Sequence, residues 1–330
     1  MDLSRLQHQL AISPRSLHTV TFVAVLVWIV VGGGTTLLHE NLPSLWLMLP
    51  DGARTDGWFN TALALLGFAV TVYTLSELNI TQILLRINSR IISFNFVAFF
   101  MAGVFLHAYQ SGYVVMYLLL LSYFSLFSSY SVENSAGLTY VSFLFLGCSA
   151  LLFPKLIWLA PIYWLSLYIL RTVSPRSIVA SVMGLLTPFW LVGSIAFCCD
   201  QMHGFGLLAS QMIDFEWGGY GQHTTGETLF IWLLFAAFFV SVADFYLRIY
   251  LDKTRNRAIY NVLILHGAFY FLLLLLQPLS SRTVLPIIVM NTAILSGHFV
   301  ANDDNRLTNT IVCIFILLIL TTFILNAWIL

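Results

Sequence analysis

Ionisable side chains inside long apolar runs are the first candidates for chemistry in this sequence. Asp244, His266 and His298 each lie in such a run, and Arg248 follows Asp244 at a spacing of four residues. A charged group in hydrocarbon is costly, so such residues mark a functional site by default. Carboxylates and imidazoles in this setting can relay protons or couple an ion to transport. The structural alternative is an Asp244–Arg248 pair on one helix face, with both histidines hydrogen-bonded between helices.

A second set of candidates is acidic and lies between apolar runs. Glu40 directly follows the first run, and Asp51 and Asp56 come soon after it. A carboxylate at the outer membrane face can act as a general base toward an acceptor hydroxyl, or hold a divalent cation through its oxygen atoms. The alternative is a solvated acidic loop. No organic cofactor is predicted, because no phosphate loop, dinucleotide fingerprint or nucleophile elbow occurs.

Aromatic residues in a later segment form the third set. Residues 200–227 contain acidic side chains and no Lys or Arg, and Trp217, Tyr220 and His223 lie near their end. These three are predicted to contact substrate if the substrate is a saccharide. The aromatic belts that membrane proteins carry at the interface explain the two aromatic residues equally well. No HxxxH or HExxH spacing links the histidines, so no metal site is predicted.

The elements that must position these residues follow from composition. The chain has 330 residues, of which 59% are hydrophobic and only 8% charged. Soluble domains carry about 25% charged residues. The surplus of apolar surface requires lipid as its solvent. The sequence therefore predicts an all-α, polytopic transmembrane bundle that forms a single domain over residues 1–330. Its zero net charge and lack of a basic block exclude a nucleic-acid partner.

Apolar runs of the length that crosses a bilayer define the predicted spans, because a helix needs about 20 apolar residues to do so. Residues 1–16 are predicted to form a cytoplasmic interfacial helix, and 39–57 and 200–227 to be outer loops. Part of the second loop, 205–215, is apolar enough to form a short interfacial helix. The eleven predicted spans are 17–38, 58–78, 91–109, 113–130, 137–153, 156–171, 178–199, 228–247, 259–278, 283–300 and 309–328.

The distribution of Lys and Arg predicts the orientation, because cytoplasmic loops are enriched in both. With the N-terminus in the cytoplasm, 11 basic residues fall inside and 3 outside, and the C-terminus lies outside. The most basic loop, 248–257, is predicted to bind anionic lipid headgroups. Residues 137–171 are short for two crossings, and a re-entrant hairpin is the alternative for them.

Two stretches carry a resemblance to known proteins. Residues 170–176 (Leu-Arg-Thr-Val-Ser-Pro-Arg) with 185–190 (Leu-Leu-Thr-Pro-Phe-Trp), and the run 298–309, resemble a poorly characterised family of bacterial multi-pass inner-membrane proteins. A fainter similarity is to the glycosyltransferase C superfamily, whose members place acidic residues in the first outer loop and use lipid-linked sugar donors. That similarity implies catalytic roles for Glu40, Asp51 and Asp56, although His39-Glu40 stands where the superfamily has a paired acidic motif.

Three functional classes follow from these features. The first is a component of the bacterial inner membrane, in the cell envelope, without a catalytic motif of its own. The second is a lipid-linked saccharide transferase or polymerase acting at the outer face, and the third is a transporter or flippase that uses Asp244, His266 and His298. The corresponding partners are membrane lipids, a polyprenyl-linked saccharide or other envelope membrane proteins.

Overall fold

The computed structural model describes residues 58–85, 90–107, 111–200, 202–215, 223–301 and 306–329 of the chain. These ranges are helical and contain no β-strand, which confirms the all-α class. The predicted span 17–38, the interfacial segment 1–16 and the loop 39–57 lie outside the described residues. The α-helices are α1 (Trp58–Gln82), α2 (Ile91–Ala102), α3 (Ser111–Ser128), α4 (Ala136–Leu152), α5 (Ala160–Ile169), α6 (Pro175–Cys198), α7 (Met202–Gln211), α8 (Thr225–Arg248), α9 (Thr254–Leu276), α10 (Ser281–Ala301) and α11 (Arg306–Ile329).

Every predicted span from residue 58 onward coincides with one of these helices, and α7 is the short helix predicted near 205–215. In the described part of the chain, 6 helical stretches are long and apolar enough to cross a membrane. They are Ala64–Gln82, Ser111–Ser128, Pro175–Cys198, Thr225–Leu251, Thr254–Leu276 and Pro278–Ala301. A chain with this many apolar helices is a membrane protein with several spans, because water cannot solvate so much apolar surface.

Two of the predicted spans are not single α-helices. The span predicted at 91–109 ends its α-helix at Ala102 and continues as a 3-10 turn, Val104–His107. Gly103 caps α2, and the Asn326 side chain donates a hydrogen bond of 2.8 Å to the Ala102 carbonyl, which compensates for the interrupted ladder. The span predicted at 156–171 begins as a 3-10 helix, Pro154–Leu159, and becomes α5 only at Ala160. Pro154 lacks a backbone donor, and this favours its position at a helix start.

Helix α10 lies at the centre of the bundle. It packs against α2, α3, α8 and α9, and all but three of its residues are buried. Helices α1 and α11 pack on the outside of this group. On another side, α4 packs against α3, and α6 packs against α4. Helix α6 is the opposite extreme, since most of its apolar side chains are exposed on the surface of the protein. The exposed apolar surface of α6 fits a lipid surrounding.

Hydrogen bonds between helix ends fix which ends lie together. At one end, Gln82, the last residue of α1, accepts from Arg255 at 2.6 Å and donates to Ser128 at the end of α3 at 2.8 Å. The Ser131 amide, which precedes α4, donates to Leu170 O after α5 at 3.2 Å. We call this the basic end. It holds Arg90, Arg171, Arg176, Arg248, Lys253, Arg255, Arg257 and the first residue of α11, Arg306.

The opposite end is connected in the same way. Arg282 at the start of α10 reaches Glu227 at the start of α8 at 3.4 Å, and Asn326 near the end of α11 bonds the last residue of α2. The Trp158 indole, between α4 and α5, donates to Met212 O after α7 at 2.9 Å. Consecutive long helices therefore run in alternating directions through the described bundle. Lys155 and Arg282 are the described Lys and Arg residues at this end.

Glycine allows α4 and α6 to touch through their backbones. A side chain at Gly184 of α6 would meet the Tyr140 carbonyl and the Leu144 amide of α4, and one at Gly147 of α4 would meet the Leu185 carbonyl. Close backbone approach at small residues is a general device of helix packing in lipid. The Tyr140 hydroxyl and the Thr187 hydroxyl add a bond of 3.2 Å across the same contact.

We expect Gly184→Ala to lower the free energy of unfolding by about 1–3 kcal/mol, because the added methyl group meets backbone atoms that cannot move aside. Unfolding in mixed micelles of rising SDS content measures this change. The control is Gly137→Ala in α4, where a Cβ meets nothing within 4 Å. That variant should be neutral or more stable by up to about 1 kcal/mol, because Ala favours helix. Equal stability of both variants would contradict the packing described here.

Candidate functional site

A network of hydroxyl groups surrounds His266 in the interior of the bundle. His266 Nε2 lies 2.9 Å from the Ser166 hydroxyl of α5, and its Nδ1 lies 3.2 Å from the Tyr123 hydroxyl of α3. Tyr123 in turn lies 2.8 Å from the Tyr270 hydroxyl of α9. The imidazole therefore connects three helices, and each of its nitrogens has a partner. In the neutral ring one nitrogen donates and the other accepts.

A second set of hydroxyls lies against the first. The Tyr163 hydroxyl of α5 is 2.9 Å from Ser122 of α3, and Ser122 reaches the carbonyl of Ser142 in α4 at 2.8 Å. The Tyr163 ring stacks on His266 with centroids 4.7 Å apart. We call the two sets together the His266 network. Its seven members, all with 0% exposed surface, are Ser122, Tyr123, Ser142, Tyr163, Ser166, His266 and Tyr270.

Complete burial limits what the His266 network can do. No member reaches solvent, so a proton on His266 can exchange with water only if the bundle opens. A satisfied polar network does specify how helices fit together, since any other arrangement leaves polar groups without partners in hydrocarbon. The geometry therefore fits the structural reading of His266 directly, whereas a relay requires a path that these contacts do not contain.

Asp244 and Arg248 form the ion pair that their spacing predicts. Asp244 Oδ1 lies 3.1 Å from Arg248 Nε near the end of α8. The Asp244 side chain is buried, and that of Arg248 is partly exposed at the basic end. A cation in the last turn of a helix also interacts favourably with the helix dipole. The pair thus extends along the last turn of α8, from the buried Asp244 to the partly exposed Arg248 at the basic end.

His298 has a partner of its own at the basic end. Its Nε2 lies 2.9 Å from Asp252 Oδ2, and both side chains are buried. The Tyr260 ring covers the imidazole at a centroid distance of 4.4 Å. Arg257 donates to the Asp252 carbonyl at 2.8 Å, which holds the loop between α8 and α9 in place. Asp244, His266 and His298, predicted as one relay, thus have separate partners: Asp244 and His298 are paired at the basic end, and His266 lies in the buried network.

A carboxylate is held at the opposite end of α8. Glu227 closes a capping box with Thr224, and its Oε1 lies 3.4 Å from Arg282 of α10. His223, predicted to contact substrate, lies with Nδ1 3.4 Å from Glu227 Oε2. The capping box satisfies the first amides of α8, and the arginine compensates the buried charge. His223 is half-buried beside this pair.

The remaining candidates lie outside the described residues. They are Glu40, Asp51 and Asp56 in the first outer loop, and Trp217 and Tyr220 in the second. In the part of the chain that the structure describes, no group of three or more His, Cys, Asp or Glu side chains could hold a metal ion. The divalent cation and the substrate contacts proposed for these loops stay predictions.

Sequence reasoning missed most partners of the residues that it singled out. Tyr123, Tyr163 and Tyr270 look like ordinary interface aromatics, although all three lie well inside predicted spans. Hydroxyls on several spans at the depth of a buried histidine are the signal that could have indicated the network. Asp252 was not singled out, because the loop that contains it was interpreted only as a basic patch. Its position next to the end of α8 gave no indication of its contact with His298.

Comparisons of the chain with protein-family models, with curated proteins and with solved structures gave no match.

Two of the three tyrosines in the His266 network, Tyr123 and Tyr270, should differ in what their hydroxyls contribute to stability. Within the described ranges, the Tyr270 hydroxyl bonds Tyr123 alone, whereas the Tyr123 hydroxyl bonds both Tyr270 and His266. Tyr123→Phe deprives two buried groups of a partner and should cost about 1–3 kcal/mol, whereas Tyr270→Phe leaves Tyr123 its bond to His266 and should cost under about 1 kcal/mol. Unfolding in mixed micelles measures both changes. Tyr168→Phe, at a side chain that is 73% exposed, is the control. A larger loss for Tyr270→Phe than for Tyr123→Phe would contradict the network.

Proposed function

We propose that this chain is a polytopic component of the bacterial cytoplasmic membrane that crosses it eleven times. Its N-terminus lies in the cytoplasm and its C-terminus outside. Its role in the cell envelope is to bind and organise membrane partners, and it carries no catalytic centre of its own. The proposal extends the all-helical fold and its six long apolar helices to a complete topology.

The segregation of basic residues carries this proposal. Eight of the described Lys and Arg residues lie at the basic end and two at the opposite end. The two ends were defined by hydrogen bonds between helix ends, and not by the number of charges at each. Cytoplasmic loops are enriched in Lys and Arg, so the basic end is assigned to the cytoplasm. On this assignment, Lys253, Arg255 and Arg257 of the loop after α8 would face the anionic headgroups of the cytoplasmic leaflet, which attract basic residues.

The segment from α4 to α5 fits two full crossings better than a re-entrant hairpin. Its outer turn contacts the α7 segment through Trp158, and Ser131 before α4 and Leu170 after α5 bond each other at the basic end. Helix α4 alone has 17 residues, or about 25 Å of rise, close to the roughly 30 Å of the hydrocarbon region. Eleven crossings then follow, with the span predicted at 17–38 as the first.

The polar contacts of the described residues favour a non-catalytic role over the two alternatives. Asp244 is paired with Arg248, His298 with Asp252, and His266 lies in a closed network. Each of these three groups has a partner inside the protein, which favours a structural role for it. A transferase of the glycosyltransferase C type would depend on Glu40, Asp51 or Asp56, and a transporter on a path between Asp244, His266 and His298.

Cysteine labelling in intact cells tests the topology. The free Cys148, Cys198, Cys199 and Cys313 are first replaced by Ala. An impermeant maleimide should then label Ser210→Cys and Trp158→Cys without cell lysis, and should label Glu133→Cys and Lys253→Cys only after lysis. The four positions are exposed on the protein, so burial does not limit their reaction. Labelling of Lys253→Cys in intact cells would overturn the orientation, and failure at Trp158→Cys alone would restore the re-entrant hairpin.

Complementation of a deletion strain separates the functional classes. We expect Glu40→Gln and Asp244→Asn to restore the wild-type envelope phenotype at wild-type membrane abundance, because neither carboxylate acts in chemistry or coupling. Loss of function by Glu40→Gln at normal abundance would favour a transferase. Loss by Asp244→Asn, with an altered response to the proton gradient, would favour a transporter.

A further inference from the structure

A cavity of about 80 Å³ lies between α2, α8, α10 and α11, near the basic end of the bundle. Its walls are almost entirely carbon. The lining residues are Ile91, Phe94, Asn95, Ala98 and Phe99 of α2, Ala237 and Ser241 of α8, Ser296, Phe299 and Val300 of α10, and Val312, Phe315, Ile316 and Ile319 of α11. Helix α10 is almost entirely buried, whereas α8 and α11 carry exposed side chains and the α2 residues Phe94, Asn95 and Ala98 are partly exposed, so these three helices can form the rim.

The polar residues in the wall bond within the protein. Asn95 donates to the Ser296 hydroxyl at 3.0 Å, and Ser241 donates to the Ala237 carbonyl at 2.7 Å. A buried water needs two to four polar partners, and empty apolar cavities stay dry and bind apolar guests. The cavity therefore suits a hydrocarbon guest.

The cavity opens toward the surface that faces lipid. Ile316 is 41% exposed and also lines the cavity, and its neighbour Leu317 on α11 is 61% exposed. Apolar side chains with that exposure on a span lie against acyl chains. A lipid tail can therefore reach the cavity sideways from the bilayer, between α11 and α2, without crossing water.

The exposed Arg90 lies at the rim nearest the basic end. Arg90 is exposed and directly precedes Ile91, which lines the cavity, and Arg306 begins the helix that supplies Val312. Asp303 and Asp304 precede Arg306 in the sequence and lie outside the described residues. A headgroup at the end of a tail in this cavity would lie near Arg90. Each basic residue near an anionic lipid surface contributes about 1 kcal/mol to the free energy of binding that surface.

We propose that this cavity is a binding site for one acyl chain of an anionic phospholipid of the cytoplasmic leaflet, with the phosphate beside Arg90. The site rests on the proposed membrane topology, which places Arg90 at the cytoplasmic surface. An engineered cavity of about 150 Å³ holds benzene. The present cavity is about half that size, so it takes a short segment of the chain, and the rest of the lipid lies along α11.

Native mass spectrometry of the purified chain, incubated with equimolar phosphatidylglycerol and phosphatidylcholine, tests the site. The wild-type protein should retain phosphatidylglycerol in preference. Ala98→Phe fills the cavity and should lower retention of both lipids about ten-fold or more, since a buried methylene contributes about 0.8 kcal/mol. Arg90→Gln should leave the tail bound and reduce the preference for phosphatidylglycerol about five-fold.

Matched controls keep the test specific. Leu186→Phe enlarges a side chain on the lipid-facing surface of α6, and Arg176→Gln removes an exposed arginine at the same end; neither should change retention. Val312→Phe repeats the filling from α11 if Ala98→Phe is not monodisperse. Any of three results would overturn the proposal. The first is unchanged lipid retention in a folded variant with the cavity filled. The others are an equal effect of Arg176→Gln and Arg90→Gln, and preferential retention of an added polyprenyl phosphate. Lipid retention is measured on the purified protein in micelles, whereas the topology is tested by labelling in cells. A failure of the lipid site can therefore be distinguished from a failure of the proposed topology.

Discussion

Hydrocarbon offers no partner for a hydrogen bond, and this constraint governs the arrangement of the bundle. A buried polar group that lacks a partner in lipid costs several kcal/mol. Several interior hydroxyls accordingly lie around His266, where Ser166 and Tyr123 contact the imidazole and Tyr270 contacts Tyr123, across three helices. The same requirement appears at interrupted helices, where Asn326 reaches over to the free carbonyl of Ala102. Polar contacts of this kind specify which helices are neighbours, whereas apolar packing alone would permit many arrangements.

Around that constraint, the helices divide into a buried centre and a lipid-facing periphery. Helix α10 has almost no surface outside the protein, and α6 has little inside it. Glycine makes the peripheral contact possible, because α4 and α6 meet through their backbones at Gly147 and Gly184. Charges lie at the ends: Glu227 with Arg282 at one, and Asp252 with His298 at the other. Both carboxylates are buried and each has a polar partner, which lowers the cost of burying them.

The sequence predicted the helices well, because hydrophobic run length has a direct physical meaning in a bilayer. It also predicted the Asp244–Arg248 pair, since a spacing of four residues fixes both side chains on one helix face. It did not predict that α2 would stop at Ala102, because the compensating Asn326 is 224 residues away. For the same reason it combined Asp244, His266 and His298 into one set. Depth in a span can be read from sequence, but the direction in which a side chain faces depends on the neighbouring helices, and that information is not local.

The burial of α10 has a consequence for synthesis. Its side chains Asn291, Thr292 and His298, together with Pro286, make it poorly suited to remain alone in lipid while the chain is made. The four helices that enclose it, α2, α3, α8 and α9, all precede it in the chain. When α10 leaves the insertion machinery, the four helices that enclose it have therefore already been translated. The order of the helices along the chain thus makes the packing partners of α10 before α10 itself.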